Sequence, residues 1–568
     1  LEDGNGIESM RVSYQHTNVR YGNESTLLRF TTDDGTRACV LVDAGSGVDL
    51  DTVLADDEYL NAILLTHAHI DHYRTLAENV RHNAPIYASR ATASILEHAL
   101  PEAQKDNDLG DISDALTALE PIEDWTSILH GLEVVPVSAG HTPGAAGFVI
   151  RFRDQTTGQD LWDDTRHLLV TGDFTIRPCA GFPGLETAYP FDIDAVFLNV
   201  STNESYTSGL NDSLQTVLER AYAGSRVVVA TSSLTGTQYA TLVGHVASEL
   251  GRELPITLVG QAAKLYNALE LTVPGVETAE VFDRTAAVLE RGGVTIAGPE
   301  TPATGSAARL LDSIRDDPAS VFVQLVTGDA SAVTDAGCTT RYVELRNHPS
   351  VESIDAFVRD LAPKQVVIKH ATGDTLNRFQ RRFDHCFTWG TNDEAVHHLY
   401  QDGEWQAPSW IAESTASQIR RRQWEASQNR PVDVGGTLSS VERDGIDLEA
   451  AGVDIETLEA VFSRSSTDPY ATSESETEMV TETRTETQPA DTRTDAGHQS
   501  DDDASLETEV LERLAAIEAK LDRSEKTVQA RVLTDNDGEQ FLRLLEDADI
   551  ESQDIVEVVI STDGTDHP

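Results

Sequence analysis

At 568 residues the chain is too long for one hydrophobic core and has room for two or three domains with a buried site. Its 96 Asp and Glu residues against 42 Lys and Arg give a formal net charge of −54, so in dilute buffer it repels itself and any polyanion. The longest apolar runs, such as Val227–Ala230 and Val366–Ile368, are strand-sized, which excludes a membrane span, and no basic-then-apolar leader opens the sequence. The expectation is a soluble, cytoplasmic protein with no membrane partner. Four scattered cysteines, Cys39, Cys179, Cys338 and Cys386, form no CxxC pair, so neither a disulfide framework nor a thiolate metal site is expected.

From Val12 to about Phe197 short apolar runs alternate with turn signals: Thr26–Phe30, Ala38–Val42, Ala62–Leu65, Ile86–Ala88, Val134–Val137, Gly147–Phe152, Leu168–Val170 and Ala195–Leu198. These predict the strands of a layered α/β domain over residues 1–205. Between 206 and 330 strands and helices alternate: strand Val227–Ala230, helix Gln238–Leu250, strand Ile256–Val259, a helix near Ala262–Leu271, then strands Thr295–Ala297 and Val321–Leu325. This pattern predicts a smaller inserted α/β domain with parallel strands. Residues 331–464 then return to the first domain with a strand, a helix whose apolar positions are Ile354, Phe357, Val358 and Leu361, and the strand Val366–Ile368.

Residues 465–505 are mostly Ser, Thr, Glu, Asp and Gln, too apolar-poor to offset chain entropy, and predict a disordered acidic linker. In 506–526 the spacing of Val510, Leu514, Ile517 and Leu521 suits a short coiled coil, a handle for self-association or a processing partner. Residues 527–568 predict a small α+β module: a strand at Val528–Leu533, a helix at Glu539–Leu545 and a strand at Ile555–Ile560.

The chemistry is concentrated in Leu64–Tyr73, LLTHAHIDHY, where His67, His69, Asp71 and His72 follow an apolar strand directly. Neutral imidazole and carboxylate are the ligands zinc accepts when thiolate is absent, and a turn after a strand can fan them toward one point. Alternate positions share a face, so His67 and His69 can serve one ion while Asp71 and His72 serve a second.

The HxHxDH run resembles the signature of the metallo-β-lactamase superfamily, and similar further motifs follow in order. Asp43 ends the strand Val40–Val42 in Asp43-Ala44-Gly45, His141 lies in SAGHTPGAAGF, and Asp173 lies in VTGDF. About 175 residues then separate Asp173 from His348, an insertion that resembles the β-CASP nucleases. GSRVVVATSSLTGTQYATLV and PITLVG look like that family's inserted strands and helix. RYVELRNHPSVESIDAFVRDLAPKQVVIKHATGD resembles the stretch holding its motif B and motif C histidines, here His348 and His370. The acidic surface, with six lysines and therefore 36 arginines, resembles the proteins of salt-loving archaea, whose molar salt shortens the Debye length to about 3 Å.

The resemblance implies a metallo-β-lactamase αββα sandwich with an inserted β-CASP α/β domain, and two zinc ions. One ion would be held by His67, His69 and His141, the other by Asp71, His72 and His370, with Asp173 bridging and Asp43 supporting the histidine loop. It further implies RNA as substrate, cleavage to a 5′-phosphate and a 3′-hydroxyl, and His348 at the scissile phosphate with Asp71 orienting the nucleophile. Two motifs depart from the family: Val200 stands where motif A carries an acid, so that either Glu204 nearby substitutes for it or the acid is absent, and Pro349 and Ser350 follow His348. Arg378, Arg381 and Arg382, and the cluster Arg420, Arg421 and Arg422, are candidates for RNA phosphate contacts. Two other readings stand beside the ribonuclease of RNA processing or decay. One is a hydrolase of the same fold acting on DNA or a small phosphodiester or ester, the other a weakly active scaffold subunit of a processing complex.

Overall fold

The computed structural model describes residues 9–154, 165–428, 438 and 440–464, and the backbone of 530–534 and 540–544. It divides into two units, 1–471 and 472–568.

Two mixed sheets face each other in the first unit. One has eight strands, in the order Glu404–Trp405, His397–Gln401, Met10–His16, Thr26–Thr32, Arg37–Val42, Leu60–Leu64, Ile86–Ala88 and Leu119–Pro121. The other has seven: Phe387–Trp389, Gln365–Lys369, Ala195–Asn199, Thr165–Val170, Ala146–Arg153, Leu132–Ser138 and Thr126–Leu129. Strand alternation sends one set of side chains inward, including Val12, Phe30, Val40 and Leu64 from the first sheet and Phe148, Phe152, Leu168 and Phe197 from the second. The other set faces outward into a second layer, which is why the strands read as continuous apolar runs instead of alternating ones. On the outer face of the seven-stranded sheet, Val149, Leu169, Val196 and Ile368 pack against Ile354, Phe357, Val358 and Leu361 of the helix Val351–Leu361. On the other, Leu41, Ile63 and Leu65 pack against Ile95, Leu96 and Leu100 of the helix Arg90–Asp106. The result is the αββα layering of the metallo-β-lactamase fold.

A six-stranded sheet is inserted, all its strands parallel, in the order Val276–Ala279, Ile256–Val259, Val294–Ala297, Val227–Ala230, Val321–Val326 and Thr339–Glu344. Its last strand pairs with Val321–Val326 through residue 344, so the sheet runs past the boundary expected at 330. Helices cover both faces; Leu310, Leu311 and Ile314 of Gly305–Ile314, for example, pack on Val228, Ala297 and Phe322. The helix Ser233–Glu249 starts where Ser232 accepts the N–H of Thr235, and Val351–Leu361 starts where Ser350 accepts the N–H of Ser353.

In the second unit Ala530–Thr534 and Gln540–Leu544 form an antiparallel pair, so the expected helix at 539–545 is a strand. The intervening Asn536-Asp537-Gly538 is a hairpin sequence, and pairing across it overrides the helical spacing of the apolar residues. The expected linker 465–505, the coiled coil 506–526 and the strand Ile555–Ile560 lie outside the described residues. Among those described, no helix is long and apolar enough to cross a membrane, and the four cysteines are buried and free.

Candidate metal centre

One edge of the sandwich collects the polar residues, because each follows the end of a core strand. Asp43 follows Arg37–Val42, His67–His72 follow Leu60–Leu64, His141 follows Leu132–Ser138, Asp173 follows Thr165–Val170 and His370 follows Gln365–Lys369. Two of them need unusual backbone: Asp43 and His370 have φ of 56° and 53°, and their side-chain bonds offset that strain.

His67 Nε2 and His141 Nε2 each lie 3.1 Å from His69 Nδ1. The far nitrogens are already engaged: His67 Nδ1 is 3.0 Å from Thr66 Oγ1, and His141 Nδ1 donates to the carbonyl of Asn347 at 2.8 Å. Since a carbonyl only accepts, the proton of neutral His141 sits on Nδ1 and the Nε2 lone pair points inward. His72 is held alike, its Nδ1 donating to Asp43 Oδ2 at 2.8 Å, while its Nε2 is buried with no hydrogen-bond partner. Asp43 Oδ1 also accepts the Thr66 N–H at 2.8 Å, which ties the turn carrying His67 to the neighbouring strand.

Asp173 lies between these histidines. Its Oδ2 is 3.7 Å from His72 Nε2 and 3.8 Å from His141 Nε2, and its Oδ1 accepts from His370 Nδ1 at 2.7 Å and from Asn199 Nδ2 at 3.0 Å. Asp71 Oδ2 is 3.9 Å from His72 Nε2, and its side chain is half exposed. Three sets of donor atoms are close enough to hold an ion: His67, His69 and His141; His67, His72 and Asp173; and His141, Asp173 and His348. Asp71 and His370 border these sets through His72 and Asp173.

Electrostatics suit cation binding. Burial pushes His67 and His141 below the ordinary imidazole range and His69 down to about 4, so all three are neutral ligands. Burial opposes charge on His72 and His370 as well, but there the carboxylates win, Asp43 and Asp71 at His72 and Asp173 at His370, and both are raised. Burial likewise works against the Asp173 carboxylate, yet His370 and His72 hold it well below its usual range. A buried, unpartnered nitrogen amid carboxylates and neutral imidazoles is a donor set that fits zinc.

His348 stacks on His141, with ring centroids 4.8 Å apart and planes at 27°. Burial lowers it to about 3, and its Nδ1 is buried without a partner. Its loop is gripped by Asn347, whose Nδ2 donates to the carbonyls of Gly140 and His141, and by Arg177, which donates to Asn347 Oδ1 and the His348 carbonyl. The guanidinium of Arg177 lies 4.3 Å from the centroid of the Tyr206 ring, at the start of the first helix of the insertion. Thr66, Asn199, Arg177 and Asn347 were not legible as site residues from the sequence; the one signal for Thr66 and Asn347 is that each directly precedes a site histidine.

The altered motifs have structural explanations. Val200 is fully buried in the outer apolar layer, and its neighbour Asn199 reaches Asp173 instead. Glu204 Oε1 accepts the Val351 N–H at 2.9 Å, so this carboxylate serves the first turn of the helix after His348. Ser350 caps that same helix. The arginines are engaged at the surface: Arg382 with Asp355, Arg420 with Glu413, Arg421 with Glu425 and Arg422 with Asp384, while Arg378 lies over the ring of Phe379 and Arg381 follows that helix.

Residues 39–200, which hold Asp43, His67, His69, Asp71, His72, His141 and Asp173, match the family model described as a beta-lactamase superfamily domain. The chain carries a metallo-β-lactamase domain. The chain is also 27% identical over 227 residues to Ribonuclease TTHA0252 of Thermus thermophilus, an alignment covering 38% of this chain and 50% of the relative. It thus spans about half the length of that curated relative. Among solved structures, a protein of unknown function from Enterococcus faecalis superposes with a TM-score of 0.46 at 13% identity, covering 64% of this chain and 94% of the other. A long form RNase Z from yeast superposes with a TM-score of 0.23 at 12% identity, over 40% of this chain and 38% of the other. Both superpositions are too loose to bear on function.

Proposed function

We propose that this chain is a zinc-dependent ribonuclease of β-CASP type that hydrolyses RNA phosphodiester bonds at the centre formed by His67, His69, His141, Asp71, His72, Asp173 and His370. The observation that carries the reading is the buried convergence of imidazole nitrogens and Asp173, with His348 stacked beside them on the return segment that follows the insertion. The likeness to a ribonuclease supports the substrate class.

His67, His69 and His141 would hold one ion and Asp71, His72 and His370 a second, with Asp173 shared. Zinc, when bound, supplies Lewis acidity toward a phosphoryl oxygen and lowers the pKa of water toward neutrality. The protein's own groups do the positioning. Asp43 and the Asn347 carbonyl fix His72 and His141 in the tautomer that turns Nε2 inward. Half-exposed Asp71 accepts a hydrogen bond from the attacking water and sets its direction. His348, stacked on His141 beside the centre, donates a hydrogen bond or a proton at the scissile phosphate. The products are a 5′-phosphate and a 3′-hydroxyl.

The test is cleavage of 5′-labelled and 3′-labelled single-stranded RNA and DNA in molar potassium chloride with zinc, alongside metal content, for wild type, His69→Ala and His348→Ala. The expected result is RNA cleavage by wild type alone, with zinc lowered in His69→Ala and retained in His348→Ala. A zinc-loaded wild type that leaves RNA intact overturns the reading; cleavage of DNA or a small phosphodiester instead would establish the second reading given above.

A further inference from the structure

The loop between the strands Met10–His16 and Thr26–Thr32 carries an exposed arginine and tyrosine in its turn, Arg20 and Tyr21, and Tyr21 is 64% exposed. Among the described residues few large apolar side chains are as open to water, and this one stands at the rim of the metal centre. Its ring lies on Gly47, in the turn that begins at Asp43: a Cβ at Gly47 would come within 2.2 Å of the tyrosine Cδ2 and Cε2. The next residue, Gly22, lies against the centre, since a Cβ there would lie 3.8 Å from His370 Cδ2.

The loop that carries the ring is tied down. The N–H groups of Tyr21 and Asn23 both reach the carbonyl of Asn18, at 2.9 and 3.4 Å. The carbonyl of Asn23 accepts the His370 N–H at 3.0 Å, and the buried Lys369 amine donates to Asn23 Oδ1 and the Ser25 carbonyl. Tyr21 is therefore an exposed ring lying against Gly47, on a loop bonded through Asn23 to the strand end that bears His370. Gly47 itself has φ of 78°, so both its conformation and the ring above it require glycine.

Resting on the ribonuclease reading, the geometry points to Tyr21 as a stacking platform for a nucleobase of the RNA strand beside the scissile phosphate, with Arg20 adjoining the backbone. A charge of −54 opposes a polyanion in dilute buffer, and salt that screens the repulsion also screens phosphate contacts. Stacking on a neutral ring is the contact that survives that screening, and every base has a π-face to offer.

The experiment compares wild type, Tyr21→Ala and Tyr21→Phe, each with its zinc content measured. Substrates are a single-stranded RNA and the same RNA made abasic at one position at a time around the cleaved bond. The expected result is that Tyr21→Ala keeps its zinc and raises KM about 5- to 100-fold, that Tyr21→Phe restores it, and that one abasic position costs wild type the same factor while costing Tyr21→Ala nothing. Wild-type cleavage that is indifferent to Tyr21→Ala, or a loss of equal size on intact and abasic RNA, overturns the stacking role alone. A zinc-loaded wild type that cleaves none of the RNAs overturns the ribonuclease reading and this inference with it.

Discussion

Asn347 and His141 grip each other from both sides although they lie 206 positions apart: the His141 imidazole donates to the Asn347 carbonyl at 2.8 Å, and the Asn347 side chain donates back to the His141 carbonyl at 2.8 Å. One end of this clasp is in the first half of the metallo-β-lactamase domain, the other just past the inserted sheet, so it joins the two stretches that flank the insertion. Arg177 extends the clasp to the His348 carbonyl and to the ring of Tyr206.

Substituting Asn347 with alanine keeps the main-chain acceptor for His141 Nδ1 but removes three side-chain bonds, to Gly140, His141 and Arg177. The His141 turn then loses its external anchor, and zinc affinity falls about 10- to 100-fold, as for other partners that orient metal ligands. Competition with a chromophoric chelator measures this. An affinity equal to wild type would show that the turn is held without the asparagine.

Gly172 has φ of 55°, and a Cβ placed on it would come 2.6 Å from Thr66 Cβ. Thr66 joins Asp43 to His67, so crowding at Gly172 is transmitted to the histidine turn, while Asp173 next in sequence must also shift. Gly172→Ala combines backbone strain with this clash and costs more than about 1 kcal/mol of stability. Chemical denaturation of the zinc-loaded protein, read with its metal content, checks both consequences. Unchanged stability and full zinc content would contradict the contact.

The contrast between what was and was not legible in the sequence follows from how each feature is encoded. His67, His69, Asp71 and His72 stand within one turn after an apolar strand, so local spacing announces them. Asn347, Arg177 and Asn199 act through hydrogen bonds that exist only once distant strands are aligned, and no local pattern marks them. Glu204 was readable as a spare carboxylate but not as the partner of the Val351 N–H, because that role depends on where the helix Val351–Leu361 docks. The strands of the sandwich were legible because burial on both faces makes them continuous apolar runs. The last strand of the inserted sheet, Thr339–Glu344, was not assigned to it because it is a partly exposed edge of polar composition. At Gln540–Leu544 a helical spacing yielded to pairing across a turn sequence, a choice made by the partner strand and not by the segment itself.

His167 lies away from the metal centre with its ring stacked on Phe191, centroids 3.9 Å apart and planes at 8°. Burial pulls its pKa from 6.5 to about 4, against the attraction of Asp194 and Asp192. With the folded value below the unfolded one, the unfolded chain takes up the proton first as pH falls, so this group favours unfolding between about pH 6.5 and about pH 4 and has no effect above that window. Its full contribution is on the order of 1–3 kcal/mol. His167→Gln, which cannot titrate, is expected to be less stable than wild type near neutral pH through loss of the ring contact, and to close that gap as pH is lowered through the window. Urea unfolding of both proteins at about pH 7.5, 6 and 5 in high salt measures the gap, and because the metal centre is common to both, its own acid sensitivity cancels in the difference. A gap that does not change with pH would mean that His167 is not held neutral by its surroundings.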